Sequence, residues 1–346
     1  MDFGRRTVVL RAAGLALRWQ VRAMGWTVAL WLLTIVMTGW ALTQGDYPLS
    51  LAQVWSALAG DADAGFHRIV VVEWRAPRAV AAVVFGAALG LAGAVFQSLT
   101  RNPLASPDII GFSTGSYTGA LIVIVLIGGT YAQLAAGAVV GGLVTAAVVY
   151  VLAWRRGVQG FRLIIVGIAV SAMLTSFNTW LLLTAELEVA LSASAWGVGS
   201  LTGIGWTPVA WAGGLVVVLS AALVPLSPGL RQLELGDDAA RASGVRVEPV
   251  RLAVVVVGVA LTATVTAAAG PVMFVALAAP QIARRLTRAQ GIPLVAAAAT
   301  GALMLAAADA IAQHALPVAL PVGVVTVVIG GSYLIWLIIR EARRRA

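Results

Sequence analysis

The chain has 346 residues, of which 60% are apolar and 11% charged, and its mean hydropathy is +0.95. About a quarter of the residues in an ordinary soluble domain are charged, so this composition excludes that class. The 37 glycines and the 7% aromatic share leave most of the apolar content to Ala, Val and Leu, which suits helices packed in lipid. The composition therefore predicts an all-α, polytopic membrane protein.

All 23 basic residues are Arg, and the formal net charge is +9. Without Lys the chain cannot form a standard P-loop, because that motif uses Lys to contact nucleotide phosphates. It has no Cys and two His, which argues against thiolate and three-His metal sites. We expect no catalytic site, no metal site and no bound cofactor. We also expect no nucleic-acid partner, because the arginines lie in short clusters between apolar spans.

The apolar runs predict about ten transmembrane helices, since a helix needs about 20 apolar residues to cross a bilayer. The candidates are 26–42, 79–99, the two halves of 109–154, 163–184, 208–226, the two parts of 252–283, 293–313 and 322–339. The run 109–154 divides around Gly128, Gly129 and Thr130, and the run 252–283 is broken by Gly270 and Pro271. Such breaks are tolerated at membrane depth only where protein or a cavity covers the backbone.

The distribution of arginines predicts the orientation. Ten spans place both termini on one side, and only Arg68, Arg75 and Arg78 of the 23 basic residues fall on the other side. The positive-inside rule therefore predicts cytoplasmic termini. We expect residues 1–25 to form an N-terminal arm, 26–340 the ten-helix domain and 341–346 a cytoplasmic tail. The arm is either an interfacial amphipathic helix or disordered.

The loop between the sixth and seventh spans runs from Glu234 to Gly244 and predicts a short cytoplasmic helix. Asp237 can cap its start, Arg241 lies near its end, and Gly244 can close it. A transport motor could press on such a helix held parallel to the membrane. A plain connecting loop is the alternative, and the spacing alone does not decide between them.

On the opposite side, Arg75 and Arg78 lie beside Pro77, just before the second span. Two arginines at a proline-stiffened helix start present a fixed positive surface to an acidic partner. Anchoring to lipid headgroups is the alternative use of these arginines. In the docking interpretation we expect neither charge to be buried in the chain.

Asp309 is a carboxylate inside the ninth span, followed by Gln313. Inserting such a group costs about 3 kcal/mol, so it is by default functional or paired. Because the outer end of the span is close, capping or snorkelling is the favoured alternative for Asp309.

Small residues recur where helices are predicted to pack closely. Residues Gly111 to Gly115 match the G-x-S-x-G pattern of a serine nucleophile. That pattern needs a strand, turn and helix of an α/β sheet, whereas this segment opens a membrane helix. We therefore interpret it, like Gly86, Gly90 and Gly93 on the second span, as a close-packing surface.

Five segments together resemble the iron-siderophore permease family of ABC importers, which includes the vitamin B12 permease. They are Arg75-Ala-Pro-Arg78, Gly86 to Gln97, Arg101-Asn-Pro-Leu-Ala-Ser-Pro-Asp108, Leu235 to Gly244 and Leu320 to Thr326. The resemblance covers nearly the whole chain. Within the family, the chain most resembles the ferric-enterobactin permeases. Three segments carry this narrower resemblance: Phe161 to Ile168, Phe177 to Leu183 and Gly330 to Ile335.

The resemblance implies a ten-helix, type II importer subunit with the vitamin-B12-permease fold, located in the bacterial inner membrane. It implies a second homologous permease, with a heterodimer favoured, two ABC ATPase subunits that use the ATP and Mg, and an extracytoplasmic siderophore-binding protein. The implied substrate is a ferric siderophore of the catecholate, enterobactin-like class, carried by alternating access. The chain itself would not be an enzyme.

The resemblance also implies roles for particular residues. The ATPase-coupling residues would be Leu235, Gly236, Asp237, Asp238, Ala239, Ala240, Arg241, Ser243, Gly244 and Val245. Binding-protein docking falls on Arg75 and Arg78, whereas Gln313 stands where some members have a third docking arginine. Gln281 stands where the family usually has His, and Gly330-Gly-Ser replaces a usual Gly-Ala-Pro.

Two other classes remain as alternatives. A secondary transporter of a small molecule should place ionisable groups near mid-membrane for ion coupling, and only Asp309 offers itself. An intramembrane enzyme should show a convergent nucleophile and base or a metal cluster. The absence of Cys and the wide separation of His67 and His314 give that class little support.

Overall fold

The computed structural model describes residues 7–12, 15–61, 65–154, 160–315 and 317–345. Apart from an antiparallel hairpin of β1 (Thr7–Ala12) and β2 (Leu15–Gln20), its regular elements are helices. They are α1 (Val21–Thr43), α2 (Leu51–Ala59), α3 (Gly65–Arg68), α4 (Ala76–Thr100), α5 (Phe112–Ile122), α6 (Tyr131–Ala153), α7 (Gly160–Thr184), α8 (Leu187–Trp196), α9 (Trp206–Glu234), α10 (Asp237–Ala242), α11 (Val247–Ala269), α12 (Val275–Thr287), α13 (Leu294–His314) and α14 (Val322–Arg345).

Each of the ten predicted spans corresponds to a helix. Seven helices of the described chain are long and apolar enough to cross a membrane. The other three spans are shorter: Phe112–Ile127, which ends in a π-helical turn, α12, and the apolar part of α14. The predicted break at Gly128 is sharp because Thr130 and Gln133 form a capping box that starts α6. The predicted all-α, multi-pass fold is confirmed.

The N-terminal arm differs from expectation. Where we expected a helix or disorder, its described part forms the β1–β2 hairpin, while 1–6 and 13–14 lie outside the described residues. At the other end α14 continues through residue 345, so the described part of the predicted tail is the end of this helix.

The second span begins earlier than predicted. Helix α3, a π-helical stretch (Ile69–Arg75) and α4 run on without interruption as Gly65–Thr100. Pro77 lies inside this continuous helix, and the backbone oxygen of Val72, five residues before it, accepts from the Trp206 indole N–H at 2.8 Å instead. Arg75 and Arg78 therefore lie within a helix rather than before one.

Small residues set the distances between the central helices. A Cβ at Gly86 or Gly90 of α4 would overlap backbone oxygens of α13, and one at Gly93 would overlap Ala276 of α12. Gly115 likewise lies against Thr145 of α6. The close-packing interpretation of both glycine series is confirmed, because backbones this near leave no room for side chains.

The buried centre of the bundle consists of α4, α11 and α13, whereas few residues of α1, α7 and α9 are buried. Helix α11 ends at Gly270, and an unwound break of five residues, 270–274, separates it from α12. The break is enclosed, since Ser200 donates a hydrogen bond to the Ala269 oxygen and Gly330 of α14 packs on Phe274. Protein thus covers the irregular backbone, as the bilayer requires.

Candidate functional sites

The loop between α9 and α11 forms the short helix α10, as predicted. Gly236, not Asp237, is its N-cap residue, and Asp237 is the first helical residue with its carboxylate turned to other partners. At the other end, Gly244 adopts a φ of +84° and donates to the Arg241 oxygen, while Val245 donates to the Ala240 oxygen. These two bonds form a Schellman motif, so Gly244 closes the helix as expected.

The outer side of α10 is free of contacts with the bundle. Leu235 is 71% exposed, and Asp238, Ala239, Arg241 and Ser243 are exposed with it. Gly236 and Val245 are half-buried, and Ala240 packs into the core. An exposed leucine beside a capped, charged helix is a surface suited to another protein.

Charged and polar groups hold the α10 region to several elements at once. Asp237 accepts from Arg251 of α11 at 2.7 Å and lies 3.5 Å from Arg101, which follows α4. Arg251 also donates to Glu248 at 3.0 Å, and its side chain is 4% exposed. Glu234, at the end of α9, accepts from the Ser98 hydroxyl of α4 and from the backbone N–H of Ile292.

Sequence reasoning missed these anchoring residues. Arg251 adjoins a predicted span and was counted only as a basic residue for orientation. The available signal was a charge at the edge of a long apolar helix only 14 residues after Asp237, because such a charge needs a partner.

At the opposite end of the bundle, the two arginines predicted for docking are engaged within the chain. Arg78 donates to both oxygens of Asp309, at 2.8 and 2.7 Å. The exposed fractions of these side chains are 17% and 11%. The expectation that neither charge is buried is therefore wrong for Arg78, because a carboxylate in the apolar α13 needs a cation. Asp309 is paired rather than a cap or a snorkelling group.

Arg75 forms no salt bridge within the described chain, although the carboxylate of Asp46, which lines the same cleft at this end of the bundle, attracts it. Its guanidinium donates to the backbone oxygens of Leu42 at 2.8 Å and Tyr47 at 2.6 Å, so it is fixed in position but not neutralised. It borders a cleft of about 280 Å³ that Arg78, Asp309 and Gln313 also line. The Nε2 atom of Gln313 is buried and has no hydrogen-bond partner in the described chain.

A second polar cluster holds the break between α11 and α12. Asp108 accepts from the Ser113 hydroxyl at 2.7 Å and from the backbone N–H of Phe274 at 3.2 Å. Phe274 has a φ of +67°, a conformation that aromatic residues rarely adopt. The contact fixes the Arg101–Asp108 loop to the start of α12.

Gln281, where the family usually has His, keeps a buried polar contact between α12 and α4. Its amide donates to Gln97, which in turn donates to the Leu277 oxygen at 2.9 Å. Both side-chain amide groups of this pair are thus used as donors inside the bundle. The position therefore provides a structural contact and carries no group that titrates near neutral pH.

The described residues contain no cluster of three or more His, Asp or Glu side chains that could hold a metal ion. A bundle of membrane helices with a protruding charged helix at one end and a polar cleft at the other defines a membrane transport subunit. The chain belongs to the FecCD transport family, whose model matches residues 32–340.

Relatives and solved structures agree with this assignment. The chain is 50% identical over 307 residues to the ferric enterobactin transport system permease protein FepG of Escherichia coli (strain K12), covering 88% of this chain and 93% of that protein. It is 35% identical over 320 residues to the achromobactin transport system permease protein CbrC of Dickeya dadantii (strain 3937), covering 91% of each.

A solved inward-facing structure of a metal-chelate type ABC transporter has a TM-score of 0.79 and 25% identity, over 91% of this chain and 99% of that one. These relatives are transport permeases, so the prediction that the chain is a transport subunit and not an enzyme is confirmed.

Proposed function

We propose that this chain is one permease subunit of an ABC importer that carries a ferric catecholate siderophore of the enterobactin class across the bacterial inner membrane. The observation that carries the substrate class is the 50% identity to the ferric enterobactin permease over 93% of that protein. The cargo is the ferric complex, and the chain provides its path by alternating access.

The hydrogen bonds of Asp309 argue against the alternative class, a secondary transporter. Ion coupling needs a carboxylate that can gain and lose a cation within the membrane. Both oxygens of Asp309 are occupied by Arg78. A carboxylate whose two oxygens both accept from one guanidinium has no free oxygen for a coupling cation, so Asp309 is a poor coupling group.

We infer a second, homologous permease on the face formed by α7. This helix is exposed along most of its length, and the hydroxyls of Thr175, Ser176 and Thr179 lie on its surface. Each bonds back to a carbonyl four residues earlier, which makes them tolerable but not favoured in lipid. These hydroxyls would be better solvated against a partner subunit, beside a water-filled path between the two permeases, than against lipid. The narrower resemblance favours a heterodimer.

The remaining partners follow from the two ends of the bundle. We assign the exposed side of 235–245 to one of two ABC ATPase subunits, which together bind and hydrolyse the ATP with Mg. The cleft beside Arg75 and Arg78 is assigned to an extracytoplasmic siderophore-binding protein. This places both termini in the cytoplasm, in agreement with the arginine distribution.

Uptake in the native host tests the substrate class. A strain deleted for this chain is given radiolabelled iron as a ferric catecholate, a ferric hydroxamate or ferric citrate, with and without the gene restored. We expect only catecholate uptake to be lost and then restored. Unchanged catecholate uptake in the deletion strain would refute the proposal, and loss of hydroxamate uptake alone would assign another siderophore class.

The ATPase contact is tested with Leu235→Asp, because a charge at the centre of an apolar contact disfavours association. We expect the ATPase subunits to dissociate from the detergent-purified complex while the membrane helices stay folded. Leu58→Asp, an exposed leucine of α2 at the opposite end, is the matched control and should retain them. Full ATPase copurification with Leu235→Asp would assign the contact elsewhere.

A further inference from the structure

The α10 region is connected to the bundle by ion pairs from two different elements. Asp237 binds Arg251, which belongs to α11, and Arg101, which opens the loop after α4. The Arg251 guanidinium is buried and is shared with Glu248. Removing one partner of a buried ion pair leaves an uncompensated charge, so this attachment resists separation.

Both elements lead to the same place inside the membrane. From Arg251, α11 continues without a proline to Ala269 and ends at the break. That is a rigid helical rod of about 27 Å. From Arg101, the loop contains Pro103 and Pro107, each of which fixes its own φ.

The loop ends at Asp108, which holds the Phe274 N–H at the far side of the break. The break 270–274 is therefore attached to Asp237 along two routes. The break connects α11 to α12 by irregular backbone. It packs against Gly330 of α14 and against residues 199–200. A few unwound residues between two helices are where a change of helix direction needs the fewest broken hydrogen bonds.

We propose that Asp237 and Asp108 are positioning residues at the two ends of one mechanical link, through which displacement of α10 reorients the break between α11 and α12. The proposal rests on α10 being the ATPase contact. Neither residue touches the cargo or the nucleotide. Their carboxylates hold α11 and the Arg101–Asp108 loop in register with α10, so that the three move as one unit.

The chain offers a matched control beside Asp237. Asp238 is the next residue of α10, but its side chain is fully exposed and pairs only with Arg241 of the same helix, at 3.2 Å. Asp238→Asn removes the same charge from the same helix without touching the link. A general effect of charge on the ATPase contact would appear in both variants, whereas a positioning effect would appear only in Asp237→Asn.

The experiment uses the complete importer, with its second permease and ATPase subunits, reconstituted in vesicles with the loaded binding protein. Siderophore transport and ATP hydrolysis are measured on the same preparation, and the readout is the number of siderophores moved per ATP. The variants are Asp237→Asn, Asp108→Asn, both together, Asp238→Asn and Asp237→Glu. Copurification of the ATPase and the melting temperature are recorded for each.

We expect Asp237→Asn and Asp108→Asn to keep the ATPase subunits but to lower transport per ATP about tenfold, within the range of known coupling effects. The double variant should be no worse than the more impaired single variant, because both act on one link. Asp238→Asn, which removes a charge from the proposed ATPase contact but leaves the link intact, should lower transport per ATP less than Asp237→Asn does, and Asp237→Glu should restore most of the coupling. If Asp237→Asn does not assemble, Asp237→Glu replaces it, and we expect weak uncoupling. If Asp108→Asn does not assemble, Ser113→Ala, which removes a hydrogen bond to Asp108, replaces it, and we expect moderate uncoupling.

Four results would overturn the inference. Three concern the ratio of transport to ATP: a wild-type ratio in either single variant, a double variant whose loss is the product of the two single losses, or equal uncoupling by Asp238→Asn. The fourth is loss of the ATPase subunits from Asp237→Asn, which would make Asp237 part of the contact itself. In that case the proposed function stands. Retention of the ATPase by Leu235→Asp would instead refute the ATPase contact.

Discussion

At the scale of single residues, the pairing of Arg78 with Asp309 changes how both are understood. Each was prominent in the sequence for a different reason, one as an outer cation and the other as an intramembrane carboxylate. Together they form a bidentate ion pair between α4 and α13, with most of both side chains buried. The pair is neutral as a whole, which lowers the cost of keeping a carboxylate in an apolar helix.

We predict that Arg78→Ala lowers the free energy of unfolding by about 3 kcal/mol, because it leaves Asp309 buried without a counter-ion. The double variant Arg78→Leu/Asp309→Leu should recover most of this loss, since no charge remains to be solvated. Melting temperatures in detergent provide the measurement. Arg68→Ala, an exposed arginine at the same end, serves as the control and should change little. A double variant as unstable as Arg78→Ala would contradict this account.

At the scale of helices, small residues decide which elements can meet. Gly90 lies against the Ala297 backbone of α13, so α4 and α13 approach as closely as two backbones can. Large apolar side chains are exposed on the outer helices instead, among them Leu32 of α1, Leu183 of α7 and Val217 of α9. In a bilayer the lipid tails are as apolar as the helices, so close packing and not burial of apolar surface selects the neighbours.

Gly90→Ala should therefore be destabilising, although alanine favours helices by about 1 kcal/mol relative to glycine. The added methyl group would overlap the Ala297 carbonyl and force α4 and α13 apart, which costs about 1–3 kcal/mol as overpacking. Gly214→Ala in α9 is the matched control, because no atom lies within 4 Å of its Cβ position. We expect a lower melting temperature for the first variant only. Equal melting temperatures would mean that the α4–α13 interface tolerates separation.

At the scale of the whole molecule, the two ends of the bundle carry different charge patterns. The α10 end presents an exposed leucine with anchored charges behind it. The opposite end presents a cleft in which Arg78 forms an ion pair with Asp309, whereas Arg75 forms no salt bridge within the described chain and is attracted only by the nearby Asp46. In the proposed importer, attraction of an acidic binding protein to this subunit therefore depends on Arg75 more than on Arg78.

Arg75→Glu should weaken association of the loaded binding protein with the reconstituted importer and reduce the salt dependence of that association. An exposed pair contributes about 0.2–1 kcal/mol, with more if docking removes water from it. Binding is measured at two ionic strengths, and Arg68→Glu tests whether any charge at this end has the same effect. Unchanged docking with poorer membrane insertion would favour lipid anchoring for Arg75 instead.

The sequence by itself determined the class, the ten helical segments and the break at Gly270 and Pro271, whereas at 237–242 it left a short helix and a plain loop as alternatives. These features depend on local properties, namely apolar length, glycine and proline positions, and capping residues, which are readable along one chain. The docking and ATPase assignments came from a family resemblance and stay predictions.

Only the tertiary structure decided which charges meet. Arg78 and Asp309 are 231 residues apart in the chain, and Asp108 and Phe274 are 166 apart. No periodicity or spacing encodes such pairs, because they form where α4, α5, α12 and α13 happen to pack. An arginine that looks like a free outer cation in the sequence becomes half of an ion pair once close backbone packing brings a carboxylate within 3 Å of it.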